Sequence, residues 1–242
     1  MNCLILFSNK LDNFNQNNYN EIVLGEDKKI LSKIKKYSEI DVLFNFENLK
    51  LNKNNTSKYI KIIRKIGNYL IKKNKKFKII NEYNLEKTKN DFEAYLLIST
   101  IAMTIRNKRE RTIYLYDEIC KFLDYQFTSK NLCEFGDDNM CFAKRGAKTE
   151  MGCCHHYKHL VSGLFFEKHM KLCQYQQEKS CKADCITCKM FVCDEIIKKG
   201  IKFTNNNVLV IKYYFNIIQK MIIKTSFFTK REKILKKLVF FS

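Results

Sequence analysis

Nine of the chain's eleven cysteines and all four of its histidines fall between Cys133 and Cys193, about a quarter of its 242 residues. Thiols and imidazoles at that density can hold soft or borderline metal ions, exchange disulfides, or supply a nucleophile beside a base. The run closes with Cys181, Cys185, Cys188 and Cys193 in a C-x3-C-x2-C-x4-C spacing, and an earlier block reads Gly152-Cys153-Cys154-His155-His156, with His159 just beyond. Cys185-x2-Cys188 is the unit most metal sites share: two intervening residues let both sulfurs converge on one ion while backbone amides turn toward them. If this segment is helical, Cys181, Cys185 and Cys188 share one face, and Cys193 adds a fourth thiol nearby.

The doublet Cys153-Cys154 needs partners from a distance, because adjacent side chains diverge. Cys133, Cys141 and Cys173 are available, and the turn-rich Gly136-Asp137-Asp138-Asn139 lets the first two approach each other. His155 and His159 stand one helical turn apart and can replace thiolates. The expected ligands are therefore Cys133, Cys141, Cys153, Cys154, His155, Cys173, Cys181, Cys185, Cys188 and Cys193. Thirteen soft side chains exceed one site; they suit two tetrahedral zinc ions, or one iron–sulfur cluster with thiols to spare. One cysteine of the doublet can equally serve as a small buried hydrophobe. His169, in the amphipathic run Leu160 to Leu172, reads as a surface histidine, and Cys3 and Cys120 read as core residues of a strand and a helix.

The order Cys133, Cys141, Cys153-Cys154, Cys173, Cys181, Cys185, Cys188-Lys189-Met190-Phe191, Cys193 resembles bacterial cysteine-cluster proteins described as zinc- or iron-chelating domains. These pair an early doublet with a later series running into a basic and an aromatic residue. The resemblance spans residues 133–193 and implies metal or cluster binding without an established reaction. Those proteins typically carry a C-x2-C just before the doublet and an Arg-Pro between later cysteines, and this chain has neither.

Other chemistries fit the same residues less well. Radical-forming S-adenosylmethionine enzymes also use C-x3-C-x2-C, but near the start of a barrel far longer than the 49 residues that follow Cys193 here, and with an aromatic where Thr187 stands. An iron–sulfur redox enzyme of another kind remains an alternative. A nucleophilic cysteine among Cys153, Cys154 and His155 lacks an oriented third group. Seven scattered glycines form no phosphate-cradling loop.

Charge and size set the context. The net charge of +20 invites a second alternative, a nucleic-acid-binding protein with a structural zinc. Of the 45 basic residues, however, only six are Arg, the side chain whose planar fork reads bases and grips phosphates. The excess lies outside the cysteine segment: residues 129–193 carry 10 basic against 7 acidic side chains, and residues 194–242 carry 11 against 3. Thiolate sites would turn the segment net negative, so nucleic acid is not the favoured partner. A chain of this length needs no disulfides to stabilise its core. The apolar run Leu4 to Phe7 is too short and lacks the basic flank of a secretory signal, so a reducing cytoplasm and free thiols are expected. No stretch reads as a transmembrane segment.

The elements that must position these thiols follow from periodicity. Asn2 to Ser8, Ile40 to Phe46, Phe77 to Ile80 and Glu21 to Leu24 read as strands. Ser57 to Lys73 carries apolar residues at helical spacing, Glu26 to Tyr37 is a weaker helix, Asn90-Asp91-Phe92-Glu93 opens a helix to about Ile105, and Thr112 to Phe127 forms another. Residues 1–128 thus read as an α/β domain with a small, partly parallel sheet.

A break in composition follows: among 27 isoleucines none lies between Ile119 and Ile186, and Val161 is the sole valine there. A segment so poor in β-branched aliphatics closes no ordinary core, which makes residues 129–193 an irregular cysteine-rich metal module held by coordination. Residues 194–242 read as C-terminal helices packing on the main domain. One is a single amphipathic helix with the stripe Val208, Ile211, Phe215, Ile218, Ile222, and the other opens on a capping box at Thr229-Lys230-Arg231-Glu232. A basic amphipathic helix can also lie on an anionic membrane, though core packing is the commoner use.

Overall fold

The protein is described by a computed structural model at residues 2–8, 18–46, 49–80, 86, 88–133, 176–177, 180–181, 184–227 and 229–242. The chain forms two compact units, Met1–Leu115 and Tyr116–Ser242.

In the first unit four strands make one sheet: β1 (Asn2–Phe7), β2 (Glu21–Leu24), β3 (Glu39–Phe44) and β4 (Lys76–Ile79), in the order β2-β1-β3-β4. Every pairing is parallel, where a partly parallel sheet was expected. The connections explain it, since helix α1 (Ile30–Ile34) joins β2 to β3, helix α2 (Lys53–Lys72) joins β3 to β4, and a crossover of this kind returns the chain in the same direction. Central β1 is buried from Cys3 to Phe7, as a strand covered on both faces must be. The edge strand β4 alternates Lys76 and Lys78 outward, and Lys76 reaches Glu39 at 2.6 Å, which blunts the open edge.

Helix α1 is shorter than the periodicity predicted, because Glu26 to Lys29 is spent in turns, with Asp27 Oδ1 accepting from the Lys29 amide at 2.7 Å. Helix α2 starts earlier than Ser57. Asn52 accepts from the Asn54 and Asn55 amides while Asn55 Oδ1 accepts from the Asn52 amide, a reciprocal cap built from two asparagines. Helix α3 (Asp91–Thr104) begins at Asn90, whose side chain accepts from Phe92 and Glu93, and Glu93 reaches back one residue further to the Lys89 amide. It packs on α2 where Gly67 meets Met103. Helix α4 (Lys108–Ser129) follows, and the division between the two units falls within it.

Among its described residues the second unit holds the remainder of α4, a two-stranded antiparallel ladder of β5 (Gln176–Gln177) and β6 (Ser180–Cys181), and five short helices. These are α5 (Ile186–Met190), α6 (Asp194–Lys198), α7 (Leu209–Tyr214), α8 (Ile217–Thr225) and α9 (Arg231–Phe240). Helix α6 stops at Gly200, whose φ of +80° only glycine adopts without strain; its amide donates to the Ile197 carbonyl. Tyr116, Ile119, Phe122, Leu123, Val208 to Ile211, Ile223 and Leu238 are buried. The expected module boundary at residues 128 and 129 lies inside this unit.

Two helix expectations are corrected. The stripe from Val208 to Ile222 is split into α7 and α8: Phe215 is extended and Asn216 caps α8, accepting from the Gln219 amide while Gln219 Oε1 accepts from the Asn216 amide. The sequence Asn216-Ile217-Ile218-Gln219 is thus a capping box, and the second half of the stripe rotates, leaving Ile218 exposed. At the last helix no such box forms. The N-cap of α9 is Lys230, without a side-chain cap, because the Thr229 hydroxyl donates to the Phe227 carbonyl. Arg231 fixes the helix start instead, with Nε 2.7 Å and a terminal nitrogen 2.6 Å from the two oxygens of Asp117.

An added methyl tests the α2–α3 contact. A Cβ on residue 67 would sit 2.5 Å from Met103 Cβ, so Gly67→Ala should lower stability by about 1–3 kcal/mol despite its better helix propensity, read as a reduced urea midpoint at unchanged slope. A raised midpoint would mean the helices are not in close contact there.

Candidate metal centre

The best-defined thiols are those of the C-x2-C. Cys185 is the residue before α5, in extended conformation (φ −127°, ψ 109°), and Cys188 lies within the helix. The Cys188 thiol hydrogen-bonds to the Cys185 side chain. A five-residue helix is too short to persist by itself, and tertiary bonds hold it in place. The Tyr116 hydroxyl, from α4, donates to the Asp184 carbonyl at 2.8 Å and accepts from the Ile186 amide at 3.4 Å. The Thr187 hydroxyl donates to the Ile223 carbonyl on α8. Lys189, with its side chain buried, pairs with Asp124 on α4. The Cys185 sulfur itself lies 3.0 Å from the Ser226 carbonyl.

That setting makes Cys185 unlike the other buried thiols. Protonated, it donates to Ser226. Ionised, it accepts from the Cys188 thiol and amide and from the Thr229 amide, and these donors outweigh burial and hold its pKa at about 6. Cys3 in β1 and Cys120 in α4 are buried core residues, as their strand and helix patterns implied. Burial pushes the Cys3 thiol up to about 12 and moves Cys120 in the same direction, so neither supplies a thiolate at neutral pH.

Cys193 sits at the entry to α6 and Cys133 just beyond the end of α4. Both pack against one apolar cluster of Leu132, Val192 and Ile196, joined by Phe127, Ile201 and Phe203. Cys181 belongs to β6, where its backbone is paired with Gln176. Cys181, Cys185 and Cys188 therefore do not share one face of a helix, which corrects the helical reading: the first is in a ladder, the second extended and only the third helical. The expected ligands Cys141, Cys153, Cys154, His155 and Cys173 lie outside the described residues, as do His156, His159 and His169. Among the described residues no three His, Cys, Asp or Glu side chains are gathered to hold an ion. The described part of the centre is thus a pair of adjacent thiols.

Sequence reasoning did not find the residues that seat this pair, namely Tyr116, Asp124, Thr187, Lys189 and Ser226. A lysine directly after the second cysteine was the only available signal, and its burial is visible only once Asp124 is brought beside it. Comparison of the chain with protein-family models, with curated proteins and with solved structures finds no match.

The depressed pKa has a definite sign. A thiol lowered from its ordinary 9.0 to about 6 stabilises the fold fully above pH 9, and that contribution is lost as pH falls through about 6. Ultraviolet thiolate absorbance of the reduced, metal-free protein should therefore show a step near pH 6 that Cys185→Ser removes and Cys120→Ser keeps. Absence of thiolate until the ordinary thiol range would contradict this geometry.

Proposed function

We propose that the protein binds a metal through thiolates, as zinc or an iron–sulfur cluster, with Cys185 and Cys188 as one half of the coordination. The observation that carries this reading is the mutual contact of these two thiols at the head of α5, in a setting that favours ionised Cys185. Metal ligation requires deprotonated sulfur, and a thiolate available near neutrality binds without first losing its proton to a competing base. Two sulfurs make half of a tetrahedral shell. Soft side chains of the cysteine-rich segment would complete it, with Cys133, Cys141, Cys153, Cys154, His155, Cys173, Cys181 and Cys193 as the pool.

The donor set fits the group. Thiolates suit zinc and iron–sulfur clusters and disfavour magnesium or calcium, which take oxygen ligands. Bound zinc would supply folding energy, on the order of 10 kcal/mol, to a stretch poor in isoleucine and valine. An iron–sulfur cluster would supply one-electron transfer as well. The resemblance to cysteine-cluster chelating domains points the same way, and a cytoplasmic setting, where thiols stay reduced, accords with it.

Protein purified without oxygen should contain stoichiometric zinc without colour, or iron with acid-labile sulfide and visible absorption. The double variant Cys185→Ser/Cys188→Ser should lose at least part of that metal while unit Met1–Leu115 keeps its far-ultraviolet signature. Metal-free protein with full thermal stability, indifferent to added zinc and to iron with sulfide, would refute the proposal.

A further inference from the structure

The break between α7 and α8 leaves an apolar surface that a continuous helix would have turned inward. Ile217 is 77% exposed, Met221 61% and Phe240 79%, and Ile218 and Phe241 are exposed as well. The head of α8, which carries Ile217 and Ile218, is tied to the end of α9, which carries Phe240 and Phe241: Asn216 Nδ2 donates to the Phe241 carbonyl at 2.6 Å, and Gln219 Nε2 donates to that of Leu238 at 2.8 Å. Ile217 and Met221 are one helical turn apart on α8, and Phe240 packs edge-on against Phe241 at 4.9 Å. Lysines border this tip. Lys233, Lys236 and Lys237 occupy the exposed face of α9 that runs on to Phe240, and Lys224 stands one turn beyond Met221 on α8. The only acidic residue on either helix is Glu232, in the first turn of α9 and therefore at the end away from Phe240.

We infer that the paired helices α8 and α9 dock this protein on an anionic lipid surface, with Ile217, Ile218, Met221, Phe240 and Phe241 entering the headgroup–acyl boundary and the lysines meeting lipid phosphates. Clustered large apolar side chains on a surface mark an interaction site, and a lysine border beside them is the composition of a helix that lies in a membrane interface. The charge selects among occupants. A second copy would bring the same lysines face to face, and like charges oppose that pairing. Nucleic acid would satisfy the lysines but give the isoleucines, methionine and phenylalanines no apolar surface to enter, and the one arginine in these helices is already committed to Asp117. Among the described residues no helix is long and apolar enough to cross a membrane.

Full-length protein is mixed with phosphatidylcholine vesicles and with phosphatidylcholine–phosphatidylglycerol vesicles at low salt and sedimented. It should pellet with the anionic vesicles alone and be released by salt. Lys233→Gln/Lys236→Gln/Lys237→Gln should weaken binding on the order of a hundredfold. Ile217→Ser/Met221→Ser/Phe240→Ser should weaken it about tenfold or more, and since these side chains are exposed the circular dichroism should not change. The chain contains no tryptophan, so Phe240→Trp places a single reporter at the tip, and its emission should shift to the blue with anionic vesicles only. Failure to pellet with anionic vesicles, equal pelleting with neutral ones, or an unshifted Phe240→Trp emission would each overturn the inference. So would self-association abolished by the serine variant, or DNA binding that the serine variant leaves intact while vesicle binding is absent.

Discussion

The C-terminal unit turns on how five residues, Ile186 to Met190, are kept helical. A helix of this length has one hydrogen-bonded turn and does not offset its own nucleation cost, so the position of Cys188 relative to Cys185 depends on bonds from elsewhere in the chain. Tyr116 bridges the carbonyl of Asp184 and the amide of Ile186, Thr187 is tied to the carbonyl of Ile223, and Lys189 is paired with Asp124. The Lys189 side chain is buried against a half-exposed Asp124, and the bonds to carbonyls contribute roughly 1 kcal/mol each. Two sulfurs are thereby held in contact by α4 and α8, outside the cysteine-rich segment itself.

Burial alone raises a thiol pKa, and Cys3 and Cys120 show that effect. Cys185 is equally enclosed but has donors aimed at its sulfur, and its pKa moves the other way. The contrast separates cysteines that act as small hydrophobes from one prepared to carry charge. It also gives physical content to the proposed metal centre, because a site that must release protons on binding is easier to fill where one proton is already lost. Cys133 and Cys193, which pack against the apolar cluster around Leu132 and Val192, belong to the pool proposed to complete the shell.

Much of the first unit was legible in the sequence. The continuous apolar run Cys3 to Phe7 and the helical spacing of Tyr59, Ile60, Ile63, Ile66 and Leu70 are strong signals, since a doubly covered strand and a one-sided helix each impose a period on their residues. Boundaries failed where caps use asparagine and glutamine instead of the commoner serine, threonine and glutamate, at Asn52-x2-Asn55 and Asn216-x2-Gln219. The second of these misses mattered most, because an apolar stripe carried through a capping residue predicts burial for side chains that face outward. At the candidate centre the spacing of Cys185 and Cys188 was sufficient to nominate the pair. Cys181 shares a helix face with Cys185 and Cys188 only if the segment is helical, and spacing counts residues without revealing the ladder with Gln176. The supporting residues Tyr116 and Asp124 lie more than sixty positions away in sequence, and no local pattern connects them to α5.

X-ray absorption at the zinc and iron edges of oxygen-free preparations decides whether sulfur ligates a metal in this protein. Thiolate ligation gives a dominant sulfur shell at about 2.3 Å, diminished in Cys185→Ser/Cys188→Ser. A first shell of oxygen and nitrogen near 2.0–2.1 Å without sulfur, or a spectrum unchanged by the double substitution, would contradict it.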